Sequence, residues 1–295
     1  MDASDLRIFE AVARLGGMNR AAAELNTVQS NVTARIRALE EQLEVSLFRR
    51  TSRGAILTAA GERLLPYASR VAQLLDEARR AARDDGTPCG PLVIGSLETT
   101  AALRLTPLLA PFLAAFPGVD LTLRTGTSSE LIDAALARRV EGAFVAGPVD
   151  HPELTAETVF REEMVILSAP GAVSIERYLQ GGDVRIIVLR AGCSYRLMLE
   201  SWLARQGVVR VRLLEFGTLE AIVGCVKAGL GVTLLPRALI GAVWREGTLA
   251  VHELPDGAGR AETMFVRRPD ERASSALTAF LDHVRPKFGR LQAAE

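Results

Sequence analysis

NRAAAELNTVQSNVTARIRALEEQLEVSLFRRTSRGAIL, residues 19–57, determines the fold of the N-terminal part of this chain. The Ala-rich segment 20–25 predicts a helix, and Asn26 and Thr27 can end it and cap the next one. A second helix is predicted over 29–43, because apolar residues recur there at intervals that place them on one helical face. These residues are Val32, Ile36, Leu39 and Leu43.

The opposite face of this second helix is polar and not acidic. Amides and hydroxyls can read base edges, and guanidinium groups can hold phosphate, so this face predicts a DNA recognition helix. A polar turn with Gly54 follows and predicts a wing whose arginines reach the sugar-phosphate backbone or the minor groove. We therefore expect a winged helix-turn-helix rather than a basic hairpin with a solvated face. The predicted DNA-contacting residues are Thr27, Gln29, Ser30, Asn31, Thr33, Arg35, Arg37, Arg50 and Arg53.

These motifs closely resemble those of the LysR-type transcriptional regulators. The family pattern is an Ala-Ala helix, Leu-x-x-x-Gln-x-x-x-Ser, Leu-Glu, Leu-Phe-x-Arg and Leu-Thr-x-x-Gly. The matching positions are Ala21, Ala22, Leu25, Gln29, Thr33, Leu39, Glu40, Leu47, Phe48, Arg50, Leu57, Thr58 and Gly61. Two positions depart from the pattern: Glu44 stands where the family usually has Gly, and Ala34 where many members carry Arg or Lys. The resemblance implies that Gln29 and Thr33 read bases.

Length and charge limit the classes of protein that fit. A chain of 295 residues suggests two or three domains. The formal net charge is zero, so a DNA-binding surface must be local. The sequence has no apolar run long enough for a membrane span and no signal-peptide pattern at its start, so we expect a cytoplasmic protein that does not engage a membrane.

A long helix is predicted over 59–83, with Thr58 as its cap. Its apolar residues follow a heptad spacing: Leu64, Ala68, Val71, Leu75, Ala78 and Ala82. Such a seam can pair with a second chain or pack on its own domain. We expect a homodimer, because two recognition helices would then meet a pseudo-palindromic DNA operator. The resemblance implies further assembly into homotetramers and contact with RNA polymerase.

The rest of the chain alternates strands and helices, which predicts α/β sheets covered by helices. The predicted strands are 92–97, 119–125, 142–146, 163–168, 185–190, 211–216, 231–235, 248–254 and 262–267, and one long helix is predicted over 99–116. The resemblance implies two lobes that the chain crosses twice, near 162–163 and 259–262.

The expected fold class is α+β multidomain: an N-terminal winged helix-turn-helix, a long linker helix, and a C-terminal two-lobed α/β domain like that of periplasmic binding proteins. The expected domains are the DNA-binding domain 1–58, the dimerisation helix 59–85, a Pro- and Gly-rich hinge 86–91, and the effector-binding domain 92–295, with lobe 1 over about 92–162 and 262–290 and lobe 2 over about 163–261.

Four loops that follow predicted strands are rich in small polar groups. Ligands of open α/β sheets bind at the carboxyl ends of strands, against helix N-termini that favour anions. We therefore expect a small-molecule effector, and the helix N-termini favour one that bears a carboxylate, although Glu98 would disfavour an anion or pair with an amine. Thr127 can equally be an ordinary helix cap. The predicted effector-binding residues are Thr99, Thr100, Thr127, Ser128, Cys193, Ser194, Gly217 and Thr218.

Cysteine and histidine usage gives no enzyme signature. Cys89, Cys193 and Cys225 fit no zinc spacing, and free thiols are expected, with thiol-based redox control through Cys193 as the alternative. We predict no catalytic residue, no metal site and no cofactor, since the three histidines are scattered and no nucleotide-binding motif occurs. A secreted solute-binding protein would leave the N-terminal DNA-binding motifs unexplained. A purely architectural DNA binder would leave the C-terminal α/β domain unexplained.

Neutralising Arg50 or Arg53 should weaken operator binding and flatten its salt dependence. Each lost phosphate contact should remove about one unit from the slope of log affinity against log salt. Fluorescence anisotropy over a salt series measures this slope for the two single alanine variants. An unchanged slope in both would exclude the wing from the DNA interface, and would favour an ion pair of Arg50 with Glu41 or Glu44.

Overall fold

The computed structural model describes residues 1–51, 54–171, 174–180, 184–208, 210–242, 247–255, 258–270 and 272–292. The chain divides into two compact units, Met1–Asp84 and Asp85–Glu295. Each unit has hydrophobic clusters of its own.

The N-terminal unit is a small helical domain with a two-stranded hairpin and one long helix. Its elements are α1 (Ala3–Leu15), α2 (Met18–Glu24), α3 (Gln29–Leu43), β1 (Phe48–Thr51), β2 (Gly54–Leu57) and α4 (Ala59–Arg83). The first three helices and the antiparallel hairpin β1–β2 enclose a core around Phe9, whose ring packs 5.2 Å from that of Phe48. Val32, Ile36 and Leu39 of the predicted α3 stripe are buried in this core.

Two glutamates shape the end of α3. Glu44 caps the helix in the left-handed region, with a φ of 55°. Glycine adopts this conformation without a steric penalty, which accounts for the glycine that the related pattern has there. One carboxylate oxygen of Glu40 accepts the N–H groups of Leu47 at 2.7 Å and Phe48 at 3.1 Å. The Leu-Glu pair of the motif therefore joins the helix to the start of the wing.

The first half of α4 packs on its own domain. Ala68 is fully buried, and Leu64 and Val71 pack against the core of the N-terminal unit. Tyr67 and Leu74, in contrast, are 70% and 41% exposed. Part of the predicted heptad seam is thus used within the chain, while other apolar side chains of the same helix stay accessible.

The C-terminal unit alternates strands and helices. Its strands are β3 (Gly90–Ser96), β4 (Val119–Thr125), β5 (Gly142–Ala146), β6 (Thr155–Ser168), β7 (Val184–Leu189), β8 (Val211–Phe216), β9 (Thr233–Pro236), β10 (Ala250–Glu253) and β11 (Arg260–Arg267). Its helices are α5 (Glu98–Thr100), α6 (Thr106–Ala115), α7 (Ser128–Leu136), α8 (Ile175–Gln180), α9 (Ser194–Arg205), α10 (Leu219–Lys227), α11 (Leu239–Ala242) and α12 (Ser275–Gln292).

Strand β6 belongs to both halves of this unit. Its first part pairs antiparallel with β11, which continues through β5 and β3 to β4. Its last part pairs antiparallel with β9 and β10. Strands β3 and β4 run parallel, and so do β7 and β8, which form a separate pair. The carboxyl ends of these two parallel pairs carry the loops discussed below.

Two main hydrophobic clusters define two lobes. Lobe 1 packs around β3, α6 and α12, with Phe112, Phe144 and Phe280 at its centre. Lobe 2 packs around the second part of β6, β7, α9 and α10, with Ile186 and Trp202 among its buried residues.

The structure differs from the sequence-based expectation at two elements. The helix predicted over 99–116 is divided, because a π-helical turn, Ala101–Leu105, separates α5 from α6. The N–H and the Oγ1 of Thr106 both donate to the Ala101 carbonyl there, directly before Pro107, which has no N–H. Strand β6 also begins at Thr155, earlier than predicted. Its first residues are mostly polar, so no apolar run indicates a strand there. In the described part of the chain, no helix is both long and apolar enough to cross a membrane.

Replacing Gly61 by Ala should destabilise the N-terminal unit by about 1–3 kcal/mol. A Cβ at this position would overlap the backbone oxygen of Leu47 and crowd the Leu57 side chain. Gly224→Ala is the matched control, because a Cβ in that part of α10 meets nothing within 4 Å. The control should be neutral or stabilising by up to about 1 kcal/mol. Chemical denaturation followed by circular dichroism compares the two, and equal stabilities would contradict the close approach.

Candidate functional site

The N-terminal end of α3 presents an ordered set of polar side chains. Gln29 donates through Nε2 to Thr33 Oγ1 at 3.1 Å, and Asn31 donates through Nδ2 to Thr27 Oγ1 at 3.0 Å. Gln29 and Asn31 are nevertheless exposed. The cap residue Val28 has no polar side chain, so the first N–H groups of the helix are left for an outside acceptor. This end can therefore offer amides, hydroxyls and backbone donors to a polyanion.

The other predicted DNA-contacting residues differ in their surroundings. Ser30 and Arg37 are exposed on α3. Arg35 instead bonds Asp2 at 3.1 Å and Asp5 at 2.8 Å, two residues that form the capping box of α1. This ion pair fixes α3 against the start of α1, and it argues against the phosphate contact predicted for Arg35.

The two wing arginines are only partly covered by the structure. The backbone of Arg50 lies in β1 opposite Ala55. Arg53 lies outside the described residues. The role of both in DNA binding stays a prediction.

A cleft lies between the two lobes of the C-terminal unit. It holds about 460 Å³ of space not filled by protein, part of which is open solvent. Its walls come from the carboxyl ends of β3 and β4 in lobe 1 and of β7 and β8 in lobe 2, where α/β folds bind ligands. The lining residues are Leu97, Glu98, Thr99, Thr125, Gly126, Thr127, Leu189, Arg190, Cys193, Tyr195 and Gly217.

Hydroxyl pairs join the two lobes across this cleft. Thr99 Oγ1 and the Tyr195 hydroxyl lie 3.1 Å apart, and both residues are buried. Ser194 donates through Oγ to Ser128 Oγ at 3.1 Å, and Ser128 also accepts the Ala146 N–H. The lobes are therefore in direct polar contact.

The eight predicted effector-binding residues fall into four groups. Thr99, Thr127, Cys193 and Gly217 line the cleft. Ser128 and Ser194 bond each other beside it, whereas Thr100 is buried and does not line it. Thr218 is exposed and caps α10 by accepting the Ala221 N–H at 3.3 Å.

Thr127 has the second role that its motif indicates. It forms a capping box with Glu130, whose carboxylate accepts the Thr127 N–H at 2.8 Å. Gly192 approaches it from the other lobe, with a φ of 91°, and a Cβ there would lie 3.1 Å from Thr127 Oγ1. Capping and cleft lining are thus compatible in this residue.

Two charged residues of the lining have opposite signs. Glu98 begins α5 in lobe 1, is half-buried, and lies near the N–H of Leu219 at the start of α10 in lobe 2, which favours its charged form. Burial raises the pKa of this carboxyl, and the negative charge of Glu220 adds to that effect. Arg190 directly follows β7 and is not among the residues predicted from the sequence. A charged residue after a strand is typical of a solvated loop, so its position in the chain does not indicate a binding role. Its positive charge acts in the opposite direction on the Glu98 pKa.

A buried ion pair lies close to the same region. Arg104 donates through Nε to Glu162 Oε1 at 3.2 Å and through Nη2 to Glu162 Oε2 at 3.0 Å. Both side chains are almost completely buried. The guanidinium also lies 5.6 Å from the centre of the Phe160 ring. Burial raises the pKa of the neighbouring Tyr195 phenol, with a further contribution from the negative charge of Glu162.

Cys193 is a buried thiol rather than an accessible one. It precedes α9, and burial raises the pKa of the Cys193 thiol despite nearby backbone N–H groups. A neutral thiol is a poor nucleophile. Cys89 is exposed, and all three cysteines are free.

Comparison with known families accounts for almost the whole chain. The family model described as "Bacterial regulatory helix-turn-helix protein, lysR family" matches residues 3–62. The model described as "LysR substrate binding domain" matches residues 85–289.

Curated relatives and solved structures agree with these matches. The chain is 43% identical over 283 residues to the HTH-type transcriptional regulator GltR of Bacillus subtilis (strain 168), covering 96% of each protein. It is 44% identical over 286 residues to the uncharacterized HTH-type transcriptional regulator YusT of the same strain, covering 97% of this chain and 96% of that one. Full-length CbnR, solved with its target DNA, superposes with a TM-score of 0.68 at 24% identity, over 97% of this chain and 99% of that one. The predicted fold class is confirmed.

Cys193 should react slowly with alkylating reagents in the folded chain. We expect iodoacetamide at pH 8 to modify Cys89 at least about tenfold faster than Cys193, because the buried thiol is neutral and shielded. Mass spectrometry of timed samples measures both rates, with the denatured chain as the control in which the two should converge. If Cys193 reacts as fast as Cys89 in the folded chain, redox control through this residue becomes the better explanation.

Proposed function

The chain belongs to the LysR family of DNA-binding transcriptional regulators, and from this premise we propose that a small molecule in the lobe–lobe cleft controls how a homodimer engages its operator. The relatives named above are regulators rather than enzymes. The observation that carries the proposal is the cleft itself, which polar groups of both lobes line and bridge. We propose that the protein acts in the cytoplasm, where its DNA is.

The proposed DNA interface is the N-terminal end of α3 together with the wing. Gln29 and Thr33 support each other's orientation through their hydrogen bond, which lowers the entropy lost when they contact a base. Ser30, Asn31 and Arg37 are exposed on the same helix. We assign Arg35 a positioning role through Asp2 and Asp5 instead of a phosphate contact.

The proposed dimer forms through α4. The exposed Tyr67 and Leu74 are apolar surface that the N-terminal unit does not cover. Pairing along this helix would give two recognition helices related by two-fold symmetry, as a pseudo-palindromic operator requires. Assembly of dimers into tetramers and contact with RNA polymerase are expected from the family and belong to the same proposal.

The proposed control is a linkage between cleft closure and the arrangement of the DNA-binding heads. The pairs Thr99–Tyr195 and Ser128–Ser194 join the lobes across the cleft. A ligand that contacts both lobes binds one relative position of the lobes more tightly than another, and it shifts the population toward that position. Redox control through Cys193 is less favoured, because its burial keeps the thiol neutral.

Operator binding by the full chain tests the DNA-reading role. Replacing Gln29 by Ala should cost about 1–3 kcal/mol of binding to DNA taken from upstream of the chain's own gene, the size of one base contact. Binding to a random duplex of the same length should hardly change, since that depends on phosphate contacts. Electrophoretic shift or anisotropy titration measures both affinities.

Gln42→Ala is the matched control for this experiment. Gln42 lies on the same helix, about 20 Å from Gln29 along its axis, and is exposed. Its replacement should leave both affinities unchanged. A Gln29→Ala variant that weakens operator and random DNA equally would show that Gln29 does not read bases, and a wild-type chain without any operator preference would refute the proposed function.

A further inference from the structure

Glu98 and Arg190 are opposite charges that face one cleft without neutralising each other. They come from different lobes and interact electrostatically. Among the residues that the structure describes, neither side chain forms an ion pair, and the Arg190 charge acts on Glu130 as well as on Glu98. They are the charged members of the lining, which otherwise consists of leucines, hydroxyls, glycines and Cys193.

The Glu98 carboxylate already occupies the anion-favouring position of the cleft. It lies near the Leu219 N–H at the N-terminus of α10, and this N–H favours the charged form of the carboxyl. A ligand carrying only negative charge would therefore meet a carboxylate where the helix would otherwise attract it. This geometry revises the expectation of a simple carboxylate effector.

A half-buried carboxylate and a guanidinium that forms no ion pair within the described part of the chain bind different partners. A carboxylate that has lost part of its hydration gains from a cation close by. A guanidinium offers a planar fork that matches a ligand carboxylate with two parallel hydrogen bonds. A ligand with one group of each sign satisfies both, whereas a simple anion or a simple amine satisfies one.

We propose that the cleft takes a small zwitterion of the amino-acid class, with its ammonium group on Glu98 and its carboxylate on Arg190. Leu97 and Leu189 offer apolar surface to the rest of the ligand, and the hydroxyls of Thr125 and Thr127 offer further hydrogen bonds. The inference rests on the proposed function, since it assigns a ligand class to the same cleft.

The two charges also give this ligand a way to act on the lobes. Glu98 belongs to lobe 1 and Arg190 to lobe 2, so a zwitterion bound to both bridges the cleft. Each of its charged ends contacts one lobe, and full binding requires the lobes to be close together. Such a ligand favours the closed arrangement more strongly than either half of it could.

The first test uses the wild-type full chain and chemically matched probes. The common L-amino acids are screened by thermal shift, and each one that raises the Tm is compared with its α-hydroxy acid and its decarboxylated amine by calorimetric titration. At least one amino acid should bind, and both of its analogues should bind about tenfold or more weakly. A screen without any binding amino acid, or a hydroxy acid or amine that binds as tightly, overturns the proposal.

The second test assigns the two ends of the ligand. Glu98→Gln should weaken amino-acid binding about tenfold or more while leaving the α-hydroxy acid nearly unaffected, and Arg190→Gln should show the reverse selectivity, sparing the amine. Glu220→Gln is the control, because it removes a nearby charge that does not line the cleft. Equal losses in all three variants would indicate a general field effect and contradict the pairing.

Operator binding by the same proteins separates this inference from the proposed function. The control variant Glu220→Gln should bind operator like the wild-type chain in the absence of ligand, because Glu220 does not line the cleft. If a compound that is not a zwitterion alters operator binding, the ligand class is wrong and the proposed regulator remains. If wild-type protein shows no operator preference, the proposed function fails on its own, whatever the cleft binds.

Discussion

The C-terminal unit depends on one continuous strand whose two parts serve different lobes. Strand β6 pairs with β11 along its first part and with β9 and β10 along its last part. Glu162 lies where the pairing changes and is buried, with its charge balanced by Arg104. Removing one partner of such a pair leaves an uncompensated buried charge, at a cost of about 3–5 kcal/mol. The lobes therefore share a polar joint inside an apolar environment.

The π-helical turn explains how Arg104 reaches this joint. The turn widens the helix between α5 and α6 and includes Arg104, which is buried in spite of its charge. The same short segment supplies Thr99 to the cleft through α5. One local irregularity next to Pro107 thus brings a structural ion pair and a ligand-facing hydroxyl into the same part of lobe 1.

Elements with local signals could be predicted from the sequence, and those set by distant partners could not. The limits of α3 follow from apolar spacing, although its cap is Val28 and not the predicted Asn26 or Thr27, those of α4 from Thr58 as its cap, and those of β4 from the turns around it. The first part of β6 carries threonines and glutamates in place of an apolar run. This part is held as a strand by antiparallel pairing with β11, about a hundred residues away in the sequence, and no local sequence pattern indicates that pairing.

The same distinction between local signals and distant contacts applies to the residues of the cleft. Small polar loops after strands predicted the edge of each sheet at which the cleft lies, because strand direction alone sets that edge. Which hydroxyl lines the space depends on packing: Thr99 does and its neighbour Thr100 does not. The contact between Glu98 and the N–H of Leu219 joins two lobes, and a single-sequence pattern has no means of indicating it.

The close approach at Gly61 has a mechanical consequence for the N-terminal unit. Without a side chain there, α4 lies directly against the Leu47 carbonyl, and Thr58 ties its start to Ser46 through a 2.6 Å hydrogen bond. The helix and the DNA-binding head therefore turn as one stiff body. A helix of 25 residues is about 37 Å long, so a rotation of ten degrees at the head corresponds to a displacement of about 6 Å at the far end. A small displacement of the far end of α4 therefore corresponds to a rotation of the whole N-terminal unit, including α3.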